Sequence, residues 1–118
     1  MKYMIICVET AEDFAKRNDP VQAGPYWNSW SAYSEAVAKA GIFVSGAGLA
    51  PPEMGTTVRM RDGKRLVQDG PYSDAKEQLG GFFVIDVPDL DTALSWAARC
   101  PGAAYARVEV RPVLQMGD

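Results

Sequence analysis

The order of hydrophobic patterns along the chain predicts an α+β fold. Three observations carry this prediction: short apolar runs of strand-forming residues, two stretches with helical spacing, and an Asp-Gly turn between two alternating segments. The chain has 118 residues, of which 47% are hydrophobic and 23% are charged. These values are typical of one globular domain with its own core, so we expect a single domain over residues 1–118.

The first half of the chain predicts a strand, a helix and a second strand. Residues 3–8 form an apolar run typical of a strand that is buried on both faces and therefore central. The polar stretch 9–20 is predicted to be a loop that can hold a helical turn. From Pro25, apolar and aromatic residues recur at spacings of three and four, which predicts an amphipathic helix that ends at Gly41. Residues 42–45 then follow as a strand.

The second half begins with a predicted β-hairpin. Asp62-Gly63 separates two alternating runs, and both positions of such a tight turn need positive φ. Ser73 is predicted to cap a short helix over residues 74–79, which the glycines at 80 and 81 end. Residues 82–87 are a second central strand. Asp89 caps another helix, which ends at Pro101, and residues 106–111 alternate as the last strand.

This order predicts a ferredoxin-like split βαβ fold with the hairpin and the short helix inserted between its halves. Two helices cover one sheet face, and the other face stays open. We assign a set of charged residues to the open face, among apolar ones: Arg59, Arg61, Arg107, Glu109 and Arg111. Open faces of this kind commonly become dimer interfaces or ligand floors. The sequence therefore predicts a homodimer, in the form of a dimeric α+β barrel.

Charge and hydropathy exclude some partners and locations. The net charge is −3 and the pI is about 4.9, with the basic residues scattered, so nucleic acid is not an expected partner. No apolar run approaches the roughly 20 residues that span a bilayer, and the apolar run near Met1 is too short for a secretory signal. Cys7 and Cys100 are far apart and are predicted to be buried free thiols. All of this favours a cytoplasmic protein.

The absence of histidine excludes several chemistries. Nucleophilic triads that depend on histidine cannot form, nor can histidine zinc sites. Two cysteines do not make a four-cysteine metal site. Gly46-Ala47-Gly48 lacks the third glycine of a dinucleotide-binding loop, and prolines 51 and 52 block a helix directly after it. We expect no metal and no cofactor.

One segment remains a candidate for chemistry. Asp69, Tyr72, Lys76 and Glu77 lie within nine residues around a tight turn. These groups can transfer protons if they are partly buried. The simpler alternative, which surface charge clusters favour, is a solvated turn beside a capped helix.

The three tryptophans have two interpretations. Trp30 lies on the apolar stripe of its helix and is expected in the core. Trp27 and Trp96 lie beside such stripes. They either line a pocket or, as the general burial trend favours, pack at helix edges.

Five motifs, in order, resemble the DGPF-type branch of the YCII-related proteins. They are Gly48-Leu49-x-Pro51, Thr56-Thr57-Val58-Arg59, Asp69-Gly70-Pro71-Tyr72, residues 76–82 and Glu109-Val110-Arg111-Pro112. Tyr72 stands where the naming tetrapeptide has phenylalanine. The resemblance covers nearly the whole chain and implies a ferredoxin-like fold and a dimer. Relatives carry a proposed histidine–aspartate pair, which this chain cannot form.

The resemblance also implies a set of site residues and a possible partner. Members of the branch are often linked to extracytoplasmic-function sigma factors, which implies a regulatory role. The ligand-binding candidates that match the motifs are Arg59, Asp69, Tyr72, Lys76, Glu77, Glu109 and Arg111. Lys76 and Glu77 have no evident structural duty, so they are the best functional candidates.

Three functions remain open at this point. The first is a non-catalytic dimeric module that binds a small ligand or a regulatory partner, because catalytic machinery is missing and a sheet face is open. The second is an enzyme that uses lysine, tyrosine and carboxylates on a small organic molecule; its catalytic candidates are Lys76, Glu77, Asp69 and Tyr72. The third is a purely structural or interaction subunit, which would have no pocket. A cavity lined by Lys76, Glu77 and Asp69 would favour the second.

Overall fold

The computed structural model of the chain describes residues 1–71 and 75–116. The main sheet contains β1 (Lys2–Thr10), β2 (Phe43–Gly48), β5 (Glu77–Asp86) and β6 (Arg107–Pro112), and a separate hairpin contains β3 (Thr56–Arg61) and β4 (Lys64–Asp69). The helices are α1 (Ala11–Lys16), α2 (Ala23–Lys39), α3 (Leu90–Arg99) and α4 (Pro101–Tyr105), with a single 3₁₀ turn at Pro52–Met54. None of the helices described is both long and apolar enough to cross a membrane.

The main sheet has the strand order β2-β5-β1-β6, and each neighbouring pair is antiparallel. Because β1 and β2 both run antiparallel to β5, they are parallel to each other, and α2 makes the crossover between them. This is the predicted split βαβ arrangement of a ferredoxin-like fold. Both strands predicted to be central, β1 and β5, have a neighbour on each side.

The core lies on one face of the main sheet. Tyr3, Ile5 and Cys7 alternate along β1 and are buried, and they pack against side chains of α2 and α3, including Val37 and Ala97. Fully burying an aliphatic side chain contributes roughly 1.5–3 kcal/mol, so this contact fixes both helices on the sheet. The helices therefore cover one face, as predicted.

The two cysteines meet inside this core. Cys7 and Cys100 are buried free thiols, as predicted, and their Sγ atoms lie 3.7 Å apart. The hydrogen bond between the thiols, together with burial, raises the pKa of Cys7 far above its ordinary value. Cys7 is therefore a protonated core thiol at neutral pH.

The hairpin prediction is confirmed. Asp62 and Gly63 form the turn with φ values of 52° and 74°. However, β3 and β4 form a sheet of their own. The assignment of Arg59 and Arg61 to the open face of the main sheet is therefore wrong, because register within one hairpin says nothing about which sheet the hairpin joins.

The assignment of the three β6 charges to the open face is supported by the register. Arg107, Glu109 and Arg111 lie opposite Val8, Ile6 and Met4 of β1. These β1 residues are half-buried, and they alternate with the core residues, so they point away from the helices. The open face thus combines an apolar centre with charges along β6.

The short helix predicted over residues 74–79 is wrong for its described part. Glu77, Gln78 and Leu79 belong to β5 and pair with β1. The ladder with β1 overrides a weak capping signal, because backbone hydrogen bonds and packing outweigh local propensity. Tyr72, Ser73 and Asp74 lie outside the described residues.

The described part of the chain has two further short helices, of which the sequence predicted no more than a helical turn within residues 9–20. The segment predicted as a loop contains α1, which Thr10 caps: its hydroxyl accepts from the Asp13 backbone N–H while the Asp13 carboxylate accepts from the Thr10 N–H. This reciprocal arrangement satisfies N–H groups that a helix start otherwise leaves free. Pro101 ends α3 as predicted, but it also begins α4, where a proline costs no hydrogen bond.

Glycines let β2 approach β5 closely at two positions. A Cβ added at Gly81 would lie 2.7 Å from the Ala47 carbonyl oxygen, and one added at Gly46 would lie 2.9 Å from the Phe82 carbonyl oxygen. Both contacts are with backbone, which cannot turn aside. Gly48 is paired directly with Gly81, yet a Cβ there would meet nothing within 4 Å.

This contrast gives a matched test of strand packing. We expect Gly81→Ala to lower the free energy of unfolding by about 1–3 kcal/mol, because the added methyl must push two strands apart. Gly48→Ala should leave it nearly unchanged. Urea unfolding followed by circular dichroism measures both, and equal effects of the two substitutions would contradict this account.

Candidate functional site

A cleft lies between α2 and the β2–β5 edge of the main sheet and has a volume of about 810 Å³. Its floor has few side chains, because Gly46, Gly48, Gly80 and Gly81 fall there. Bulky aromatic residues supply the walls: Tyr26, Trp27, Trp30, Phe43 and Phe83. Because the glycines contribute no side chains to the floor and the walls are aromatic rings, the space between them suits a small organic molecule.

Three polar side chains meet at one end of the cleft: Glu9, Arg17 and Tyr26. Glu9 is 1% exposed and Tyr26 2%. The Arg17 Nη2 atom donates to the Glu9 Oε2 atom at 2.8 Å, and its Nε atom donates to the Tyr26 hydroxyl at 3.1 Å. The Tyr26 hydroxyl in turn donates to Glu9 Oε1. Each member of this polar cluster thus contacts the other two.

Local structure explains why these residues meet. Glu9 continues the buried face of β1, and α1 turns the chain back so that Arg17 faces it. Gly80 is an extra residue of β5, since Cys7 pairs with Gly81 while Val8 pairs with Leu79. A Cβ at Gly80 would lie 2.5 Å from Glu9 Oε2. The β-bulge therefore makes room for the carboxylate, as bulges beside functional sites often do.

The electrostatics of the polar cluster are balanced internally. A buried carboxylate is costly unless it is paired and hydrogen-bonded, and Glu9 is both. Arg17 is also fixed by the carbonyl oxygens of Leu49 and Gly80. Burial, together with the hydrogen bond to Glu9, raises the pKa of Tyr26 well above its ordinary value although Arg17 opposes the change. Tyr26 therefore remains protonated at neutral pH.

A second buried carboxylate, that of Asp13, has a structural role. Asp13 is 3% exposed and caps α1. Burial alone would raise its pKa, but hydrogen bonds from Thr10 and Lys16 outweigh burial and hold the pKa below its ordinary value. Asp13 therefore stays ionised and keeps α1 in place beneath Arg17.

The tryptophans divide between the two interpretations given above. Trp27 is 47% exposed, lines the cleft and donates from Nε1 to the Arg17 carbonyl oxygen at 3.1 Å. Trp30 packs against the core and also lines the cleft, stacked with Phe83. Trp96 packs against Tyr33 under the Arg99 guanidinium.

The structure distributes the predicted site residues over two regions. Glu77 accepts from Arg107 Nε at 2.8 Å, and Glu109 accepts from Arg111 Nε at 2.7 Å. Lys76 is exposed. Arg59 and Asp69 lie on the hairpin, and Tyr72 lies outside the described residues. None of the described candidates lines the cleft. Their part in ligand binding stays a prediction.

Sequence reasoning missed the polar cluster, although one signal pointed to it. Tyr3, Ile5, Cys7 and Glu9 share one face of a strand by simple alternation. A carboxylate on that face requires a buried partner, and the next cations along the chain, Lys16 and Arg17, lie in the stretch predicted as a loop. Which cation, and which tyrosine, depends on α1 and on the bulge at Gly80.

Metal binding has no evident place in the described part of the chain. Over residues 1–71 and 75–116, no group of three or more Cys, Asp or Glu side chains is arranged to hold an ion. What the cleft provides is a hydrophobic space with one charged donor and its counter-ion.

The fold and the cleft define a ferredoxin-like α+β domain with an aromatic-lined cleft beside its sheet. The YCII-related domain family matches residues 1–117, and the chain belongs to that family. An uncharacterised protein of Rhizobium meliloti (strain 1021) is 38% identical over 85 residues, which cover 70% of this chain and 68% of the relative.

A solved structure agrees on the fold. It is the 5-chloro-2-hydroxyhydroquinone dehydrochlorinase of Burkholderia phenoliruptrix AC1100 in complex with 2,5-dihydroxybenzoquinone. The likeness covers 98% of this chain and 95% of that one, with a TM-score of 0.56 and 15% identity. At this identity, the likeness supports the fold alone.

The contribution of the Arg17–Glu9 ion pair to stability can be measured. We expect Arg17→Met to lower the free energy of unfolding by about 3–5 kcal/mol, because it leaves the Glu9 carboxylate buried and unpaired. Adding Glu9→Gln should restore much of the loss, because the amide oxygen still accepts from Tyr26 without a charge. Chemical denaturation of the single and double variants gives the coupling energy.

The matched control is Arg111→Met, which breaks the exposed pair with Glu109. That change should cost at most about 1 kcal/mol. If Arg17→Met costs no more than Arg111→Met, the polar cluster is not the buried, mutually dependent unit described.

Proposed function

We propose that this protein is a small dimeric module that binds an organic molecule in the cleft between α2 and the β2–β5 edge. The observation that carries this proposal is an apolar cavity with a polar cluster at one end that is already neutral and hydrogen-bonded. Such a site is formed before the ligand arrives, so little ordering cost accompanies binding. We place the small-ligand hypothesis from the sequence in this cleft, away from the site residues predicted from the sequence.

Binding is better supported than acid–base catalysis. A general base must be free to accept a proton, whereas both Glu9 oxygens accept hydrogen bonds from Arg17 and Tyr26. The raised pKa of Tyr26 means that its phenol does not readily give up its proton either. These contacts suit Glu9 to holding Arg17 in place, and suit Arg17 to meeting a ligand.

The alternative function is an enzyme that uses Lys76, Tyr72 and the carboxylates of Asp69 and Glu77 on a small organic molecule. It requires these groups to share a partly dry pocket. Lys76 is exposed and Glu77 is held by Arg107, so their contacts give this alternative less support.

We propose that the protein acts in the cytoplasm and that it binds neither nucleic acid nor a membrane. The DGPF-type resemblance adds a regulatory setting and a sigma-factor link to this proposal. We draw that link from the resemblance alone.

The homodimer is proposed to form through the open face of the main sheet. Met4, Ile6 and Val8 form an apolar row at its centre and are half-buried in one chain. The ion pairs Arg107–Glu77 and Arg111–Glu109 border that row. An apolar centre with a polar rim is the usual composition of a protein–protein interface.

A cavity-filling substitution tests ligand binding. Wild-type protein is screened for thermal stabilisation by neutral and charged aromatic compounds, since a ligand at about 100 times its Kd adds about 2.7 kcal/mol. We expect Gly48→Phe to abolish the stabilisation, because Gly48 lines the cleft and a Cβ there meets nothing within 4 Å, which leaves room for a ring. Gly24→Phe is the control, because Gly24 lies on α2 outside the cleft lining with open space around it. Equal responses of the two variants would exclude the cleft.

The dimer is tested by light scattering at micromolar concentration. Wild-type protein should have twice the chain mass, and Ile6→Glu should produce folded monomer, because a carboxylate at the centre of the interface loses its hydration on association. Val21→Glu is the control, since Val21 is 81% exposed in the loop before α2. A wild-type monomer would exclude the homodimer.

A further inference from the structure

Arg17 has one N–H group to spare. A guanidinium carries five N–H donors. Nε donates to Tyr26, Nη1 donates once to the Leu49 carbonyl oxygen, and Nη2 donates to Glu9 and to the Gly80 carbonyl oxygen. Within the described residues, the second N–H of Nη1 has no protein acceptor. The side chain is 11% exposed and lines the cleft.

The charge at this end of the cleft is already neutral. Among the described residues that line the cleft, Arg17 is the one lysine or arginine, and Glu9 is its counter-ion at 2.8 Å. An anionic ligand would therefore add a charge that no lining cation balances, in a space with largely apolar walls. Burying an unbalanced charge is costly, whereas a neutral acceptor that takes one N–H is not.

The residues that line the cleft favour flat molecules. Glycine backbone at Gly48 and Gly81 forms one side, and the rings of Trp30 and Phe83 stack on each other nearby with 6.4 Å between their centroids. Trp27 stands half-exposed beside Arg17. Aromatic faces and bare backbone both favour contact with planar rings.

From these observations we propose that the ligand is an uncharged planar ring compound whose carbonyl oxygen accepts the remaining Nη1 N–H of Arg17. The inference rests on the proposed binding function and adds a ligand class to it. Glu9 is then a positioning residue, which orients the guanidinium and cancels its charge. Arg17 is the residue that distinguishes a carbonyl from a carboxylate.

Three probes with the same ring system test the ligand class. They are 2-acetylnaphthalene, which has a neutral carbonyl, 2-naphthoate, which has a charged carboxylate, and 2-ethylnaphthalene, which has no acceptor. Binding to the wild-type protein is measured by tryptophan fluorescence and by ligand-observed NMR. We expect 2-acetylnaphthalene to bind about tenfold more tightly than either of the others, since one charge-assisted hydrogen bond is worth about 1.5 kcal/mol.

Two variants separate the possible causes. Arg17→Lys keeps the positive charge beside Glu9 but loses the planar fork of donors, so the preference for 2-acetylnaphthalene over 2-ethylnaphthalene should fall to about twofold or less. Gly48→Phe should abolish binding of all three probes. The comparison of probes on the wild-type protein does not depend on either variant folding.

Each outcome decides the question. Tighter binding of 2-naphthoate, or equal binding of all three probes that Gly48→Phe abolishes, would overturn the carbonyl inference and leave the proposed function standing. Absence of binding by every probe to wild-type protein, or binding that Gly48→Phe leaves intact, would overturn both. Retention of the full preference in folded Arg17→Lys would remove Arg17 from the inference.

Discussion

The buried carboxylate of Glu9 is the constraint around which this end of the molecule is arranged. It lies on the core face of β1, where a charge requires compensation. Arg17 at the end of α1 supplies the opposite charge, and Tyr26 on α2 supplies a hydrogen bond, so both helices are tied to Glu9. Gly80 must lack a side chain for the carboxylate to fit. One buried carboxylate therefore links the first strand, two helices and the bulge of β5.

The cleft follows from the same arrangement. Arg17 binds the carbonyl oxygens of Leu49 and Gly80, which tie the end of β2 and the bulge of β5 to the polar cluster. The strand edge therefore stays apart from α2, although its glycines contribute no side chains to the space between them. In most domains such a gap would fill with aliphatic groups to reach normal packing density. Here glycines keep the gap open, and the hydrogen bonds of the Arg17 guanidinium replace part of the stabilisation that packed side chains would give.

Most of the fold was accessible from the sequence, whereas the cleft was not. Alternation and turn chemistry predicted β1, β5, α2, α3 and the hairpin, because each depends on residues close in the chain. The strand at Glu77 was missed because it pairs with Thr10, 67 positions earlier in the chain, and this pairing overrides a local capping signal. Glu9 was readable as a buried charge from period-two alternation, but its partners depended on the unpredicted α1. The family motifs led to Lys76 and Glu109, which lie away from the cleft.

The hairpin of β3 and β4, unlike the strands of the main sheet, pairs with no other strand of the described residues. Its strands form their own sheet, and Val58, Met60 and Val67 on it are more than half exposed. Isolated two-stranded hairpins are marginally stable in water, and regions with few buried contacts open independently of the core. Amide hydrogen exchange should therefore divide the chain into two kinetic classes. Hairpin amides exchange through local opening, while those of β1 and β5 exchange through global unfolding.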